Sequence, residues 1–239
     1  MTSTPDPDLA ARLDAVLARI DAAAQRSGRD GREILLLLAT KTRTPAEISE
    51  AVALVRSRGR QVAVGENRAQ EIAKHADPAL AGLDVPRHFI GRLQTNKARD
   101  VVAFAAMIHS VDRPDVIDAL ERRARAAGLT REVLVQVNTS GEESKGGYPP
   151  RLADIAAAVE RLREGGVLVP AGLMTIGANT SETGAVRASH SRLRQLRDEL
   201  SDPAVQHLSM GMSGDLEIAV EEGASIVRVG SAIFGPRSA

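Results

Sequence analysis

The sequence predicts a single-domain (β/α)8 barrel of the TIM type with an extra N-terminal helix. Three observations carry this reading. Eight short apolar runs of strand length recur along the chain, and segments with helical spacing separate most of them. The 239 residues suffice for one barrel domain. Strict alternation of the two patterns argues for parallel pairing, and a count of eight argues for closure. An open doubly wound sheet is the alternative, but the usual glycine fingerprint of dinucleotide binding is absent.

In chain order, residues 1–7 are expected to form a flexible tail and 8–239 the barrel. Leu9, Leu13, Val16, Leu17 and Ile20 fall at helical spacing, so 8–27 is an amphipathic helix, with Gly28 as its stop. The run ILLLLA at 34–39 suits a strand buried on both faces. Pro45 then opens a helix over 45–57. Further strands are expected at 61–66, 87–91, 107–111, 132–138, 167–174, 206–208 and 225–229. Helices are expected at 67–75, 95–103, 114–127, 149–163 and 184–200, with a short one before the last strand and the start of another after it.

Composition limits the function. Lys+Arg and Asp+Glu are both 31, so the balance gives no support to nucleic-acid or membrane-surface binding. Aromatic residues make up 2%, too few for base-stacking platforms. There is no cysteine, which excludes disulfides and thiolate chemistry. No apolar run is long enough to span a bilayer, and the polar start MTSTPDPDLA is not a signal peptide, so the expected location is the cytoplasm. The five histidines show no metal-ligand spacing, so no metal site is expected.

The stretch 207–235, HLSMGMSGDLEIAVEEGASIVRVGSAIFG, concentrates the candidate chemistry. Strand alternation puts Ile226, Arg228 and Gly230 on one face and Val227 and Val229 on the other. An inward guanidinium is costly unless something binds it. Gly230 permits close approach to the backbone, and Ser231 adds a hydroxyl at a helix start, a combination that suits a phosphate. Ser213 supports that contact. Asp215 and Glu217 would repel a phosphate if they faced it. Lys41 lies two residues past the first strand, on the parity of Leu35, Leu37 and Ala39, and a partly desolvated lysine at a barrel mouth can attack a carbonyl. Asn67 either contacts a ligand or caps a helix. His88 reads as a core histidine bonded to a neighbour. Met210 reads first as packing.

These residues sit in motifs that resemble one family: LLATKTRT at 37–44, VGENRAQE at 64–71, HFIGRLQTNK at 88–97, IHSVDR at 108–113, VLVQVNTSGEESKGG at 133–147, GLMTI at 172–176 and LSMGMSGDLEIAVEEGASIVRVGSAIFGPR at 208–237. The chain from about residue 30 onward resembles the pyridoxal phosphate homeostasis proteins (the YggS/PROSC type), whose fold is like the barrel domain of alanine racemase. The resemblance implies that pyridoxal 5′-phosphate is held as a Schiff base on Lys41. It implies a phosphate-binding turn at Gly230 and Ser231, with Ser213 near the phosphate. It also implies that Arg228 faces the pyridine nitrogen and that Asn67 and Met210 border the ring. Two positions depart from the family pattern: Arg68 replaces a usual aromatic, and Gly214 replaces a usual acid.

The implied role is a carrier that limits or delivers free pyridoxal phosphate, with pyridoxal-phosphate-dependent apo-enzymes as partners and a monomer as the expected state. A racemase-like enzyme is the alternative. It needs an acid–base group on the face opposite the lysine, and the one tyrosine is Tyr148, in the loop after the fifth strand. A cofactor-free aldolase-like barrel ranks third, because the sixth strand, VLVPAGLMTI, carries no lysine. The roles of Lys145 and Tyr148 stay open at this level.

Overall fold

A computed structural model describes residues 8–142 and 144–236. The expected tail at 1–7 and Arg237 lie outside the described residues. Eight parallel strands close in sequence order into a barrel, each paired with the next and β8 with β1. They are β1 (Leu35–Ala39), β2 (Val62–Glu66), β3 (Arg87–Phe89), β4 (Met107–Val111), β5 (Arg131–Gln136), β6 (Leu168–Met174), β7 (His207–Ser209) and β8 (Ile226–Val229). The α-helices are α1 (Leu9–Arg26), α2 (Pro45–Ser57), α3 (Pro78–Ala81), α4 (Ala98–Phe104), α5 (Pro114–Ala127), α6 (Leu152–Gly165), α7 (Thr183–Leu200), α8 (Leu216–Glu221) and α9 (Ser231–Phe234).

Strand alternation divides the core in two. Leu37, Ala63, Met107, Leu134, Ala171 and Ile226 fill the barrel interior. Leu36, Leu38, Val64, Ile108, Val227 and Val229 point outward and pack with the helices in a larger cluster. Each odd or even set therefore has its own apolar environment, which fixes the register of every strand.

Local chemistry sets the helix ends. Thr44 and Glu47 form a reciprocal capping box at α2, with Pro45 in its first turn. α5 and α6 end at glycines in left-handed backbone, Gly128 and Gly166.

The differences from the sequence reading are local. The segment expected as a helix at 67–75 is a 3-10 helix, Ala69–Ala76. Its tighter winding eclipses residues three apart, and Glu71 and Lys74 meet at 3.0 Å. The helix expected at 95–103 starts as a 3-10 turn, Thr95–Lys97, before α4. The helix expected from 149 begins at Leu152. α3 has no counterpart in the sequence reading, although Asp77 caps it, accepting from the Ala79 N–H at 2.9 Å, and Pro78 opens it. Among the described residues no helix is long and apolar enough to cross a membrane.

Candidate functional site

Lys41 lies in the tight turn that follows β1. The Arg43 N–H closes the turn onto Thr40 O at 3.0 Å. Thr42 has φ +65°, backbone that favours glycine, and a β-branched residue held there stores roughly 1–3 kcal/mol of strain. Lys41 is half-buried, and its side chain makes no hydrogen bond or ion pair with a described residue, so its amine is unengaged. A buried network braces the turn from the helix side. Glu66 Oε1 accepts from Thr40 Oγ1 at 2.6 Å and meets His75 Nε2 at 2.8 Å. Lys74 Nζ lies 3.0 Å from the same oxygen and donates to Thr40 O at 2.7 Å.

Gly230 sits beside β1. A Cβ there would come within 3.1 Å of Ala39 O and 3.3 Å of Ala39 Cβ. In the fold the neighbouring strand also approaches closely at this point. The close packing sets the β8–α9 turn against the strand that leads to Lys41. Ser213 comes from the loop after β7, and its hydroxyl lies 3.2 Å from that of Ser231 and accepts from the Ala232 N–H at 3.2 Å. Two hydroxyls 18 residues apart thus meet at one turn.

The neighbouring carboxylates are engaged by partners other than these hydroxyls. Asp215 is bonded to His190 Nε2 at 2.9 Å and accepts from the Met212 N–H at 2.6 Å. Burial alone would raise its pKa, but these bonds hold it below the ordinary carboxylate range. Glu217 is held low chiefly by its hydrogen bond from Arg19, whose Nε lies 2.6 Å away. The second arm of Arg19 donates to Ser213 O at 3.0 Å, and Arg12 donates to Ile233 O at 2.7 Å. The N-terminal helix α1 therefore braces both segments that carry the serines.

Arg228 is 6% exposed. It donates to Ser209 Oγ at 2.7 Å and to Thr175 O at 2.8 Å. Burial pulls its pKa down to about 10, so it stays charged near neutral pH. The chain continues across the barrel: Ser209 Oγ lies 2.9 Å from His109 Nδ1, and His109 Nε2 lies 2.9 Å from His88 Nδ1. Burial, then the charge of His207, pushes His88 down to about 4. Burial, then His88, Arg228 and His207, hold His109 well below its ordinary value. Both rings are neutral at pH 7. Arg228 can only donate, so the arrangement that leaves no donor idle runs one way: Ser209 O–H to His109 Nδ1, then His109 Nε2–H to His88.

The fold thus brings Ser213, Gly230, Ser231 and the start of the Lys41 turn to one side of the mouth, with Arg228 buried in the same strand. The other two residues have different surroundings. Asn67 lines a cavity of about 780 Å³ on the β2–β4 side, where its carbonyl packs so tightly on Gly91 that a side chain there would clash. Met210 is fully buried in the outer cluster with Leu208 and Leu216. The sequence reading missed Ser209, His109 and the α1 brace. A signal for the first two exists: each is a polar residue on the inward parity of a buried strand.

Lys145 ties two loops together, donating to Glu142 Oε1 and to Gly177 O, both at 2.6 Å. Tyr148 is bridged to Val137 at the end of β5 and packs against the outer cluster. Burial, then Asp112, Asp115 and Asp118, pushes its phenol up to about 12.

A family model described as alanine racemase, N-terminal domain, matches residues 12–238. The chain is 44% identical over 230 residues to the pyridoxal phosphate homeostasis protein of Aquifex aeolicus, covering 95% of this chain and 97% of that one. The chain belongs to the pyridoxal phosphate homeostasis protein family. Solved structures share its fold along their whole length: PipY of Synechococcus elongatus without PLP matches with a TM-score of 0.80 at 33% identity, covering 95% of this chain and all (100%) of that one. PipY with PLP bound matches with a TM-score of 0.77 at 32% identity, over 95% and 100%. Alanine racemase from Streptomyces coelicolor shares the fold at 21% identity, with a TM-score of 0.69 over 94% of this chain and 59% of that one.

Proposed function

We propose that this chain binds pyridoxal 5′-phosphate and acts in its homeostasis, holding and releasing the cofactor rather than turning over an amino acid. The observation that carries the reading is the meeting of the Ser213 and Ser231 hydroxyls at 3.2 Å on the turn packed against β1, the strand that leads to Lys41. The residues fit the group. A phosphate needs converging donors, and Ser213, Ser231 and the backbone of the turn offer them. An aldehyde needs an accessible amine, and Lys41 has one. The name of the Aquifex relative and the PLP bound in PipY support the same choice.

Each residue then has a task. Lys41 would hold the aldehyde carbon as a Schiff base, with water leaving. Ser213 and Ser231 would orient the phosphate. Arg228, fixed by Ser209 and Thr175, would disfavour a proton on the ring nitrogen, since it carries its own charge and cannot accept one. When bound, pyridoxal phosphate supplies an electrophilic carbon and a conjugated ring. Arg228 would keep that ring a weak electron sink, which favours storage over turnover.

The racemase-like reading needs a second acid–base group over the ring. Tyr148 packs in the outer cluster with a phenol pushed up to about 12, and Lys145 is engaged by Glu142 and Gly177. Neither suits that task, which favours the carrier. In this reading the protein acts in the cytoplasm as a monomer and supplies pyridoxal-phosphate-dependent apo-enzymes.

The test is an absorption spectrum of the purified protein with added pyridoxal phosphate, beside Lys41→Ala. A band near about 420 nm is expected in the first and not in the second. No band in the wild type would sink the cofactor assignment. A band with steady conversion of one amino acid would replace the carrier with an enzyme.

A further inference from the structure

We infer that the cavity on the β2–β4 side of the mouth is a second binding site, for a small polyanion that presents a phosphate monoester or a pair of carboxylates. The inference does not depend on the pyridoxal phosphate reading. The cavity measures about 780 Å³ and is walled by the loops after β2, β3 and β4, within the size range of small-molecule sites. Four of its lining side chains are cations: Arg68, Arg92, Lys97 and Arg113.

Their pairing decides the argument. The sequence carries 31 positive and 31 negative side chains, so a cluster of this kind does not follow from a basic chain. Elsewhere several arginines are matched to carboxylates, as Arg19 is with Glu217, Arg58 with Asp14, and Arg187 with Glu221 and Glu222. In the cavity only Arg113 is fully engaged, with Asp112 at 2.7 Å, Asp115 at 2.9 Å and Leu93 O at 3.2 Å. Arg92 comes no closer to a carboxylate than 3.9 Å, at Asp112, and its side chain is 74% exposed. The side chains of Arg68 and Lys97 make no hydrogen bond or salt bridge to a described residue. The lining holds one carboxylate, Glu71; Lys74 and the Thr42 N–H take its Oε2 at 3.0 and 3.4 Å, and the charge of Arg68 acts on it without a hydrogen bond.

Three cations around one concavity repel each other, and an anion relieves that repulsion. The donors are of the right kind. Two guanidinium forks match the paired oxygens of a carboxylate or phosphate, an ammonium adds a point charge, and Gln94 adds an amide. A neutral or cationic ligand would leave them unsatisfied.

The experiment is calorimetric titration of the full chain with inorganic phosphate and, separately, with succinate, at one ionic strength held by sodium chloride. Saturable binding of at least one probe is expected, and which probe binds assigns the ligand to the phosphate or the dicarboxylate class. The double variant Arg68→Gln, Lys97→Gln should weaken it at least tenfold without changing the melting temperature. Ser231→Asp, which places a negative charge in the serine turn, should leave it intact. Three results would overturn the inference: no binding beyond that of chloride, binding indifferent to the double variant, or binding lost in Ser231→Asp. The last would mean that the probe occupies the serine turn. The visible band of the wild type, measured separately, reports on the Lys41 reading alone.

Discussion

On the β7–β8 side of the barrel mouth, polar groups are held by other parts of the same chain. Arg228 is gripped by Ser209 and Thr175, Ser213 by Arg19 and Ala232, and Asp215 by His190. On the β2–β4 side, Arg68 and Lys97 make no hydrogen bond or salt bridge among the described residues, Arg68 acting on Glu71 only through its charge, and Arg92 reaches only a distant carboxylate. The first side is set before any ligand arrives, so little ordering remains to oppose binding there. The second keeps its donors open and solvated, so its affinity depends on what a ligand brings. The same alternating scaffold supports both, because the loops differ while the strands beneath them are packed alike.

The largest test of this contrast is acid. His88 is pushed from 6.5 to about 4 in the folded state, so the unfolded chain binds the extra proton first. Its contribution is present in full above pH 6.5 and is lost as pH falls toward 4, amounting to roughly 3 kcal/mol. Denaturant melts at pH 7, 5.5 and 4.5 should show this decline, and His88→Gln should make it shallower. A wild-type profile flat over that window would mean that the buried chain from His88 to Arg228 does not support the preorganised side.

A smaller effect is expected at the α1 brace. Arg19→Ala removes a half-exposed ion pair with Glu217 and a bond to Ser213 O, worth about 1 kcal/mol together. Pyridoxal phosphate should also dissociate faster, as followed by loss of the visible band during dialysis. Unchanged dissociation would show that the serine turn needs no brace. The smallest effect belongs to the open side. Arg92→Gln should shift unfolding free energy by no more than about 0.5 kcal/mol, read from the same melts. A loss comparable with that of Arg19→Ala would erase the distinction between the two sides.

Much of the barrel is legible in the chain because two periodicities are strong. The inward set that includes Leu37 and Ile226 and the outward set that includes Leu38 and Val227 follow from alternation alone. Where the period weakens, the reading slips: Ala69–Ala76 winds as a 3-10 helix, and its Lys74 and His75 meet on Glu66, a contact that no local pattern announces. The candidate site divides the same way. Arg228 on the inner face and hydroxyls at the last turn are visible as residue types at strand ends. That Ser213 and Ser231 touch, that His109 joins His88 to Ser209, and that His190 holds Asp215 and Arg19 holds Glu217 are matters of distance between residues far apart in the chain.

By itself, then, the sequence determined the alternation of strands and helices, the face each strand residue takes and the residue types available at the mouth. Those follow from backbone geometry and the burial of apolar side chains, which act over a few residues. Closure of the barrel decided the rest. It set β8 against β1, pressed Ala39 onto Gly230 and gave Arg228 its partners. It also left Arg68 and Lys97 facing a shared cavity. Hydrogen bonds and charge pairing act at about 3 Å, and only the folded chain brings groups that distant in sequence within that range.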